Sequence, residues 1–477
     1  MYLGLDLGTS GLKAIVIDDA QNVVASASAP LTVQRPKTGW AEQDPRSWIE
    51  ACKDVFAALP ADVKSRVQSI GLSGQMHGAT MLDADDCPLG PCILWNDTRS
   101  AKQATAMDSD PIWRQVTGNI VFPGFTAPKL AWLRDNDPNT FAKLRKVLLP
   151  KDYLRLWLTG EYVAEMSDAA GTSWLDTAKR DWSDVLLERI GLTRDHMPRL
   201  VEGSAVSGTL RPALGEEFGF SPVSVAGGGG DNAASAIGMG VTKPGQGFVS
   251  LGTSGVLFAA SDAYRPDPET AVHTFCHALP DTWHQMGVIL SCADTLNWVA
   301  KLLNTDAKSL TANLGPLQAP SRGVFLPYLG GERTPLADAG VRGGWVGIEH
   351  HDDATSLART VIKGVSFAFA DCRDVLRQTG TQIDHLLAVG GGTNSDYWLQ
   401  ALATALNMPL HLSKGADLGG AFGAARLAMI AKTDDYSILT PPPIDRTVEP
   451  DSKLIAAFED AHEHYKTAAQ FLKNTLR

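Results

Sequence analysis

The first thirty residues alternate between short apolar runs and tight polar turns. Tyr2 to Leu7 is apolar except for Asp6, Lys13 to Ile17 follows a Gly/Thr/Ser turn, and Val23 to Ala27 follows Asp18-Asp19. This pattern predicts three consecutive strands joined by tight turns. Asp44-Pro45 then supplies an N-cap with proline at the first helical position. Trp48, Ile49, Cys52, Val55, Phe56 and Leu59 continue at helical spacing. Val67 to Leu72 predicts another strand, ending at Ser73-Gly74-Gln75-Met76-His77-Gly78. Far along the chain, Gly247 to Leu251 and Gly255 to Ala260 predict a second hairpin. Near the end, Thr440-Pro441-Pro442-Pro443 opens a polar linker. Leu454, Phe458, Ala461, Tyr465, Ala468 and Leu472 then mark an amphipathic helix expected to pack on the second domain.

The two hairpins share a sequence. Asp6-Leu7-Gly8-Thr9-Ser10-Gly11 recurs as Ser250-Leu251-Gly252-Thr253-Ser254-Gly255, offset by 244 residues, about half of the 477-residue chain. A single core stops growing near ~250–300 residues, so each half is expected to carry one copy of a common unit. The Gly- and Pro-containing stretch Val241 to Gly247 marks the boundary, giving domains 1–241 and 242–477.

Composition narrows the function classes. Hydrophobic residues at 44% and charged residues at 20% are ordinary globular values. The net charge of −11 argues against a general nucleic-acid surface, but not against a phosphate ligand held by backbone N–H groups. No apolar run of about 18 residues predicts a membrane span. The start MYLGLDLGTSG lacks a basic n-region, so no signal peptide is expected. Six scattered cysteines without a CxxC pair read as reduced thiols of a cytoplasmic enzyme.

Against that background, the Gly/Thr/Ser turns are the first candidate chemistry. Each exposes consecutive N–H groups and hydroxyls that can wrap phosphate oxygens. Thr9 and Ser10 in one half, and Gly252, Thr253 and Ser254 in the other, are candidate triphosphate ligands, or each turn is simply a tight hairpin. The chain has no P-loop sequence. Asp6 either holds Mg²⁺, which prefers hard oxygens bridged to phosphate, or hydrogen-bonds the turn backbone. Lys13 either adds positive charge at the transferring phosphoryl group or is a solvated strand lysine.

The second candidate is Ala226-Gly227-Gly228-Gly229-Gly230-Asp231-Asn232. Four glycines after a short strand, Val223 to Ala226, bring backbone close to a ligand and present Asp231 at the mouth of a helix. Phosphoryl transfer to a hydroxyl needs a group to accept the alcohol proton. Asp231 is the candidate base, with Asn232 beside it to orient a sugar; the alternative is a helix N-cap. After the strand Leu386 to Val389, Gly390-Gly391-Gly392-Thr393-Asn394 is an adenosine site or a structural turn. The segment Gly415 to Ala425 predicts a small-residue helix suited to tight packing. Met76 and His77 offer an apolar wall and a hydrogen bond to a sugar, although a histidine by itself is more often structural. His273, Cys276 and His277 have metal-like spacing but no further ligand, and read as ordinary buried residues.

Together these motifs resemble the FGGY carbohydrate kinases, a branch of the actin, hexokinase and heat-shock-ATPase fold. Gly124 to Asn136 looks like that family's first signature, and Gly343 to Ile348, continuing to Asp371, is similar to its second. Ser73 to Gly78 resembles the substrate loop of members that act on D-xylulose. Leu94-Trp95-Asn96-Asp97, Pro150-Lys151-Asp152-Tyr153, Gly229 to Asn232 and Gly331-Glu332-Arg333-Thr334-Pro335 resemble segments of the same members. The resemblance implies an α/β chain of two ribonuclease-H-like domains with an interdomain cleft. Residues 1–241 would bind sugar and carry the catalytic aspartate, and 242–477 would bind nucleotide. It implies ATP and Mg²⁺ as cofactors, Asp231 as the catalytic base and Asp6 as the metal-associated carboxylate. Met76, His77, Asp231 and Asn232 fall at the sugar, and Gly391, Gly392 and Asn394 at adenosine. Some relatives use Arg at the position of Lys13, which leaves its role open. The implied reaction phosphorylates D-xylulose at O5; D-ribulose or xylitol is the alternative acceptor, and a non-kinase actin-like ATPase the alternative class. Neither a nucleic-acid nor a membrane partner is implied, and a homodimer is the open assembly state.

Overall fold

The fold is taken from a computed structural model that describes residues 1–312, 314–414 and 418–475. The chain divides into two compact units. The first comprises Met1–Thr242, Phe275–His284 and Leu418–Pro441; the second comprises Lys243–Thr274, Gln285–Asp417 and Pro442–Arg477. The expected division at 241/242 is contiguous in sequence, whereas each unit draws on three segments.

The first unit is centred on a seven-stranded sheet. Its order is Val206–Thr209, Ser224–Ala226, Ser69–Gly74, Tyr2–Leu7, Gly11–Ile17 and Val23–Pro30, with Gly229–Gly230 also paired to Ser69–Gly74. The three N-terminal strands form the expected antiparallel meander, and Tyr2–Leu7 runs parallel to Ser69–Gly74. Strand alternation sorts the first strand onto two faces. Leu3, Leu5 and Leu7 are fully buried in a core shared with Trp48, Cys52, Val55 and Phe56 of the helix Pro45–Ala58. That helix is capped as expected, the Asp44 carboxylate accepting from Arg46 N. Tyr2, Gly4 and Asp6 take the other face, where the helix Gly419–Thr433 lies. Tyr2 packs against Ala421, Phe422 and Ala425.

Glycines set the closeness of that second contact. A Cβ on Gly4 would stand 1.8 Å from the Ala421 carbonyl oxygen, and one on Gly71 1.9 Å from that of Ala424. On its far side the helix meets the helix Asp231–Met239 in the same way, a Cβ on Gly423 falling 1.7 Å from Ala234 O. The expected small-residue helix is therefore present from Gly419. Gly415, Ala416 and Asp417 lie outside the described residues. Because Gly423 faces rigid backbone, Gly423→Val should destabilise the first unit by roughly 3 kcal/mol. Urea unfolding would show this as a lowered midpoint, and an unchanged midpoint would contradict the packing.

In the second unit the strands Gly255–Ser261, Gly245–Leu251, Ile383–Val389, Leu410–Ser413 and Ile444–Val448 are adjacent in that order. The hairpin Gly245–Leu251/Gly255–Ser261 and its parallel partner Ile383–Val389 reproduce the pairing of the first unit, so the repeated LGTSG sits at equivalent hairpin tips. The polar stretch after Pro443, expected to be a linker, contains the strand Ile444–Val448, which pairs antiparallel with Leu410–Ser413. The C-terminal helix Ile455–Thr475 packs on the second unit as expected. Phe458, Tyr465 and Ala469 enter its core, and the hydroxyls of Tyr465 and Tyr328 are 2.9 Å apart. Among the described residues no helix is long and apolar enough to cross a membrane.

Candidate active site

Sheet register brings the first unit's candidate residues together. Asp6 pairs directly with Lys13 on one neighbouring strand and Ser73 on the other, and Ser73 pairs with Gly229. Residues opposite each other in a ladder share a face, so Lys13, Asp6 and Ser73 form a row. Ser73 Oγ donates to Asp6 Oδ1 at 2.8 Å. Lys13 is no solvated strand lysine: its Nζ donates to the Leu418 carbonyl at 3.4 Å, just ahead of the Gly419–Thr433 helix. Gly420 in that helix keeps the space above Asp6 clear, since a Cβ there would be 2.4 Å from Ser73 Oγ and 3.0 Å from Asp6 Oδ1. Burial pushes the Asp6 carboxyl above its usual range, against the Ser73 hydrogen bond and the Lys13 charge.

Asp231 opens the helix Asp231–Met239, directly after Gly229–Gly230 has paired with Ser73–Gly74. Gly228 makes this approach possible. It has φ +82, and a Cβ there would be 2.0 Å from Leu72 O. Asp231 does not cap its helix through its side chain; the N-cap position is Gly230. Its Oδ1 accepts both the backbone N–H of Asn232 at 2.7 Å and the Asn232 side-chain amide at 3.0 Å. Burial, followed by the Asp6 charge, raises the Asp231 pKa to about 6, with the Asn232 bonds opposing the rise. A carboxyl at about 6 is ionised at neutral pH yet basic enough to take a proton.

Met76 adjoins this carboxylate's loop, and His77 follows it in the chain. Met76 is 6% exposed, and a Cβ on Gly230 would be 3.0 Å from its Cγ. His77 has φ 68, and its Nδ1 lies 2.7 Å from the Gly171 carbonyl oxygen. That oxygen only accepts, so Nδ1 carries the proton. The ring stacks on Phe125 at 4.5 Å, and the His77 carbonyl accepts from Thr126 Oγ1 and Lys129 Nζ. Burial lowers the Lys129 pKa to about 7.

Some of the site escaped sequence reasoning. Thr9 Oγ1 donates to Gln75 Oε1 at 3.1 Å and accepts from Trp95 Nε1 at 3.0 Å. Gln43 Nε2 donates to Thr9 O at 2.7 Å, while Gln43 Oε1 accepts from Gln75 Nε2 and Trp48 Nε1. The first Gly/Thr/Ser turn is thus wired to the loop bearing Met76 and His77. Trp95 is 46% exposed, an unusual state for an indole whose N–H is engaged. Its segment was singled out by resemblance without a role for the ring. Ser10, the residue after Thr9, is exposed.

The second unit gathers its own candidates at one end of its sheet. Ser250 pairs with Val389, which places the turn Gly252-Thr253-Ser254 beside the glycines that follow Val389. Gly390 has φ 93, and a Cβ on Gly392 would be 2.7 Å from Leu251 Cβ. The Gly252 and Thr253 carbonyls accept from Ala293 N and Cys292 N, both at 2.9 Å, and Thr253 and Ser254 are exposed. Asn394 Nδ2 donates to Gly391 O at 3.1 Å, and a Cβ on Gly391 would meet open space.

Two family models match the chain. Residues 1–238 match the N-terminal domain of the FGGY family of carbohydrate kinases, and residues 247–432 match its C-terminal domain. A xylulose kinase of Escherichia coli strain K12 is 45% identical over 481 residues, covering 99% of both chains. Among solved structures, one described as a xyloylose kinase from Brucella ovis is 57% identical with a TM-score of 0.98, covering 99% of each chain. A gluconate kinase from Lactobacillus acidophilus, 25% identical, still superimposes with a TM-score of 0.94 over 99% of this chain and 98% of its own. The last two scores differ little although the named substrates differ, so backbone alone does not choose the sugar. With both domain models matched and full-length relatives at this identity, the chain belongs to the FGGY family of carbohydrate kinases, which have the two-domain α/β actin/hexokinase-like fold.

Proposed function

We propose that the chain transfers the γ-phosphoryl group of ATP to O5 of D-xylulose. The observation that carries this reading is Asp231. It is a carboxylate raised to about 6, projected from a glycine loop whose last residue, Gly230, lies against Met76. The relatives named as xylulose kinases, at 45% and 57% identity over nearly the whole chain, support the choice of sugar.

Asp231 accepts the O5 proton as that oxygen attacks phosphorus, and the bond to the departing ADP oxygen breaks. Asn232 holds Asp231 Oδ1 by two hydrogen bonds, fixing the carboxylate plane. His77 and Met76 bind and orient the sugar. The amides of Thr9, Ser10, Gly252, Thr253 and Ser254, with the hydroxyls of Ser10, Thr253 and Ser254, bind phosphate oxygens. Gly391, Gly392 and Asn394 bind adenosine. Lys13, in the row with Asp6, supplies positive charge for the phosphates.

The acidic centre fits Mg²⁺. The Asp6 charge raises the proton affinity of Asp231, and Ser73 adds a third hard oxygen beside Asp6. Asp6 would hold the ion, directly or through water. When bound with ATP, Mg²⁺ neutralises charge on the phosphate oxygens.

An ADP-coupled assay across D-xylulose, D-ribulose, xylitol and gluconate tests the acceptor. D-xylulose should give a kcat/KM at least tenfold above the others. A higher value for any other acceptor would replace it, and sugar-independent ATP hydrolysis at the same rate would remove the kinase reading.

A further inference from the structure

We propose that Ser167 is a positioning residue for the phosphoryl transfer, the joint through which a fully buried ionic cluster holds the end of the glycine loop that bears Asp231. The inference rests on the reading of Asp231 as the base.

The cluster lies in the first unit and comprises Lys151, Asp152, Arg155, Glu165 and Asp168, each with a side chain 0% exposed. Lys151 Nζ lies 2.9 Å from Asp152, 2.8 Å from Asp168 and 3.3 Å from Glu165. Arg155 grips the start of the loop, its Nη1 donating to Ala226 O at 2.6 Å and its Nη2 to Gly227 O. The end of the loop is held differently. Gly230 N donates to Ser167 Oγ at 3.0 Å, and Ser167 Oγ donates in turn to Glu165 Oε2 at 2.8 Å. Glu165 is locked by Ser167 N at 2.7 Å, Asp168 N at 2.9 Å and the Lys151 ammonium. Both ends of residues 226–230 are therefore fixed to one assembly, and the residue after Gly230 is the base.

Five buried ionisable groups are a costly way to hold a loop unless their charges balance. Burial, reinforced by Asp152 and Glu165 and opposed by Lys151, pushes Asp168 well above the usual carboxylate range. Lys151 sits within ion-pair distance of all three carboxylates, and Arg155 adds a second cation beside Asp152. The ion pairs and hydrogen bonds that converge on Lys151, Arg155 and Glu165 restrict the motion of both loop ends. Rigidity matters here because a base displaced by ~1 Å loses on the order of 100-fold in rate.

Ser167→Ala removes the acceptor of Gly230 N–H and one donor to Glu165 while leaving every charge in place. The expected result is a folded enzyme with kcat lowered about 10- to 100-fold and KM for D-xylulose and for ATP unchanged within about twofold. Ser167→Cys, which keeps a weaker donor and acceptor in the same place, should recover part of that loss. A fall in melting temperature with kcat unchanged in Ser167→Ala would reduce Ser167 to structural support and overturn the proposal. So would a KM rise with constant kcat. If the alanine variant does not fold, wild-type kcat in the cysteine variant overturns it equally. Asp231→Asn run in parallel separates the two ideas. An inactive Asp231→Asn beside a fully active Ser167→Ala sinks the positioning role alone, whereas an active Asp231→Asn sinks the base reading beneath it.

Discussion

Asp231→Asn is expected to yield a protein that melts higher than the parent near neutral pH and turns over roughly 10²- to 10⁴-fold more slowly. Both effects have the same source. The folded pKa of Asp231 is about 6, above the ~3.9 of an unfolded aspartate. Between those values the native state binds more protons than the unfolded chain, so stability is lost as pH rises through that window. Above about pH 6 the buried negative charge opposes folding by about 2 kcal/mol, after discounting for partial solvent access. Asparagine keeps an oxygen to accept from Asn232 and carries no charge, so the opposition disappears together with the base. The melting difference should shrink as pH falls and vanish below about pH 4. Calorimetry across that range, paired with steady-state kinetics, checks both halves. A variant with near-parental kcat removes the catalytic assignment, and one destabilised at every pH makes Asp231 structural.

Much of this site was legible in the sequence because its parts lie at the ends of strongly patterned strands. The apolar run Tyr2–Leu7 with Asp6 at its end, the glycines before Asp231 and the repeated LGTSG needed only local pattern to be read. The unread parts depend on contacts between distant residues. Gln43 reaches Gln75 and Thr9, and Ser167 reaches Gly230, across separations that no periodicity encodes. The seat of the Gly419–Thr433 helix depends on Gly4 and Gly71, whose lack of a side chain makes no pattern of its own. The strand Ile444–Val448 was missed for a different reason. Four of its five residues are exposed, so it has no buried face to impose alternation. Lys13 illustrates the converse. Its residue type was ambiguous, and register with Asp6 decided which face it takes.

Asp6→Asn should be the second most damaging substitution, and its effects separate into two independent readouts. The first concerns metal. The amide oxygen of the substituted side chain still accepts from Ser73 Oγ, but it is neutral where the carboxylate carried charge. Mg²⁺ needed for half-maximal turnover should then rise by about 10- to 100-fold, with kcat depressed even at saturation. The second needs no metal. Asp6 is the next largest contributor, after burial, to the raised pKa of Asp231. Removing its charge leaves burial in place and takes away the repulsion. In metal-free protein the Asp231 carboxyl, followed by ¹³C NMR, should therefore titrate below its parental value of about 6 while staying above an ordinary aspartate. The downward direction is fixed by the sign of the lost charge. An unchanged Asp231 titration would mean that the two carboxylates do not share a field. Unchanged metal dependence would move the ion's ligand elsewhere, so each result tests a different half of the acidic centre.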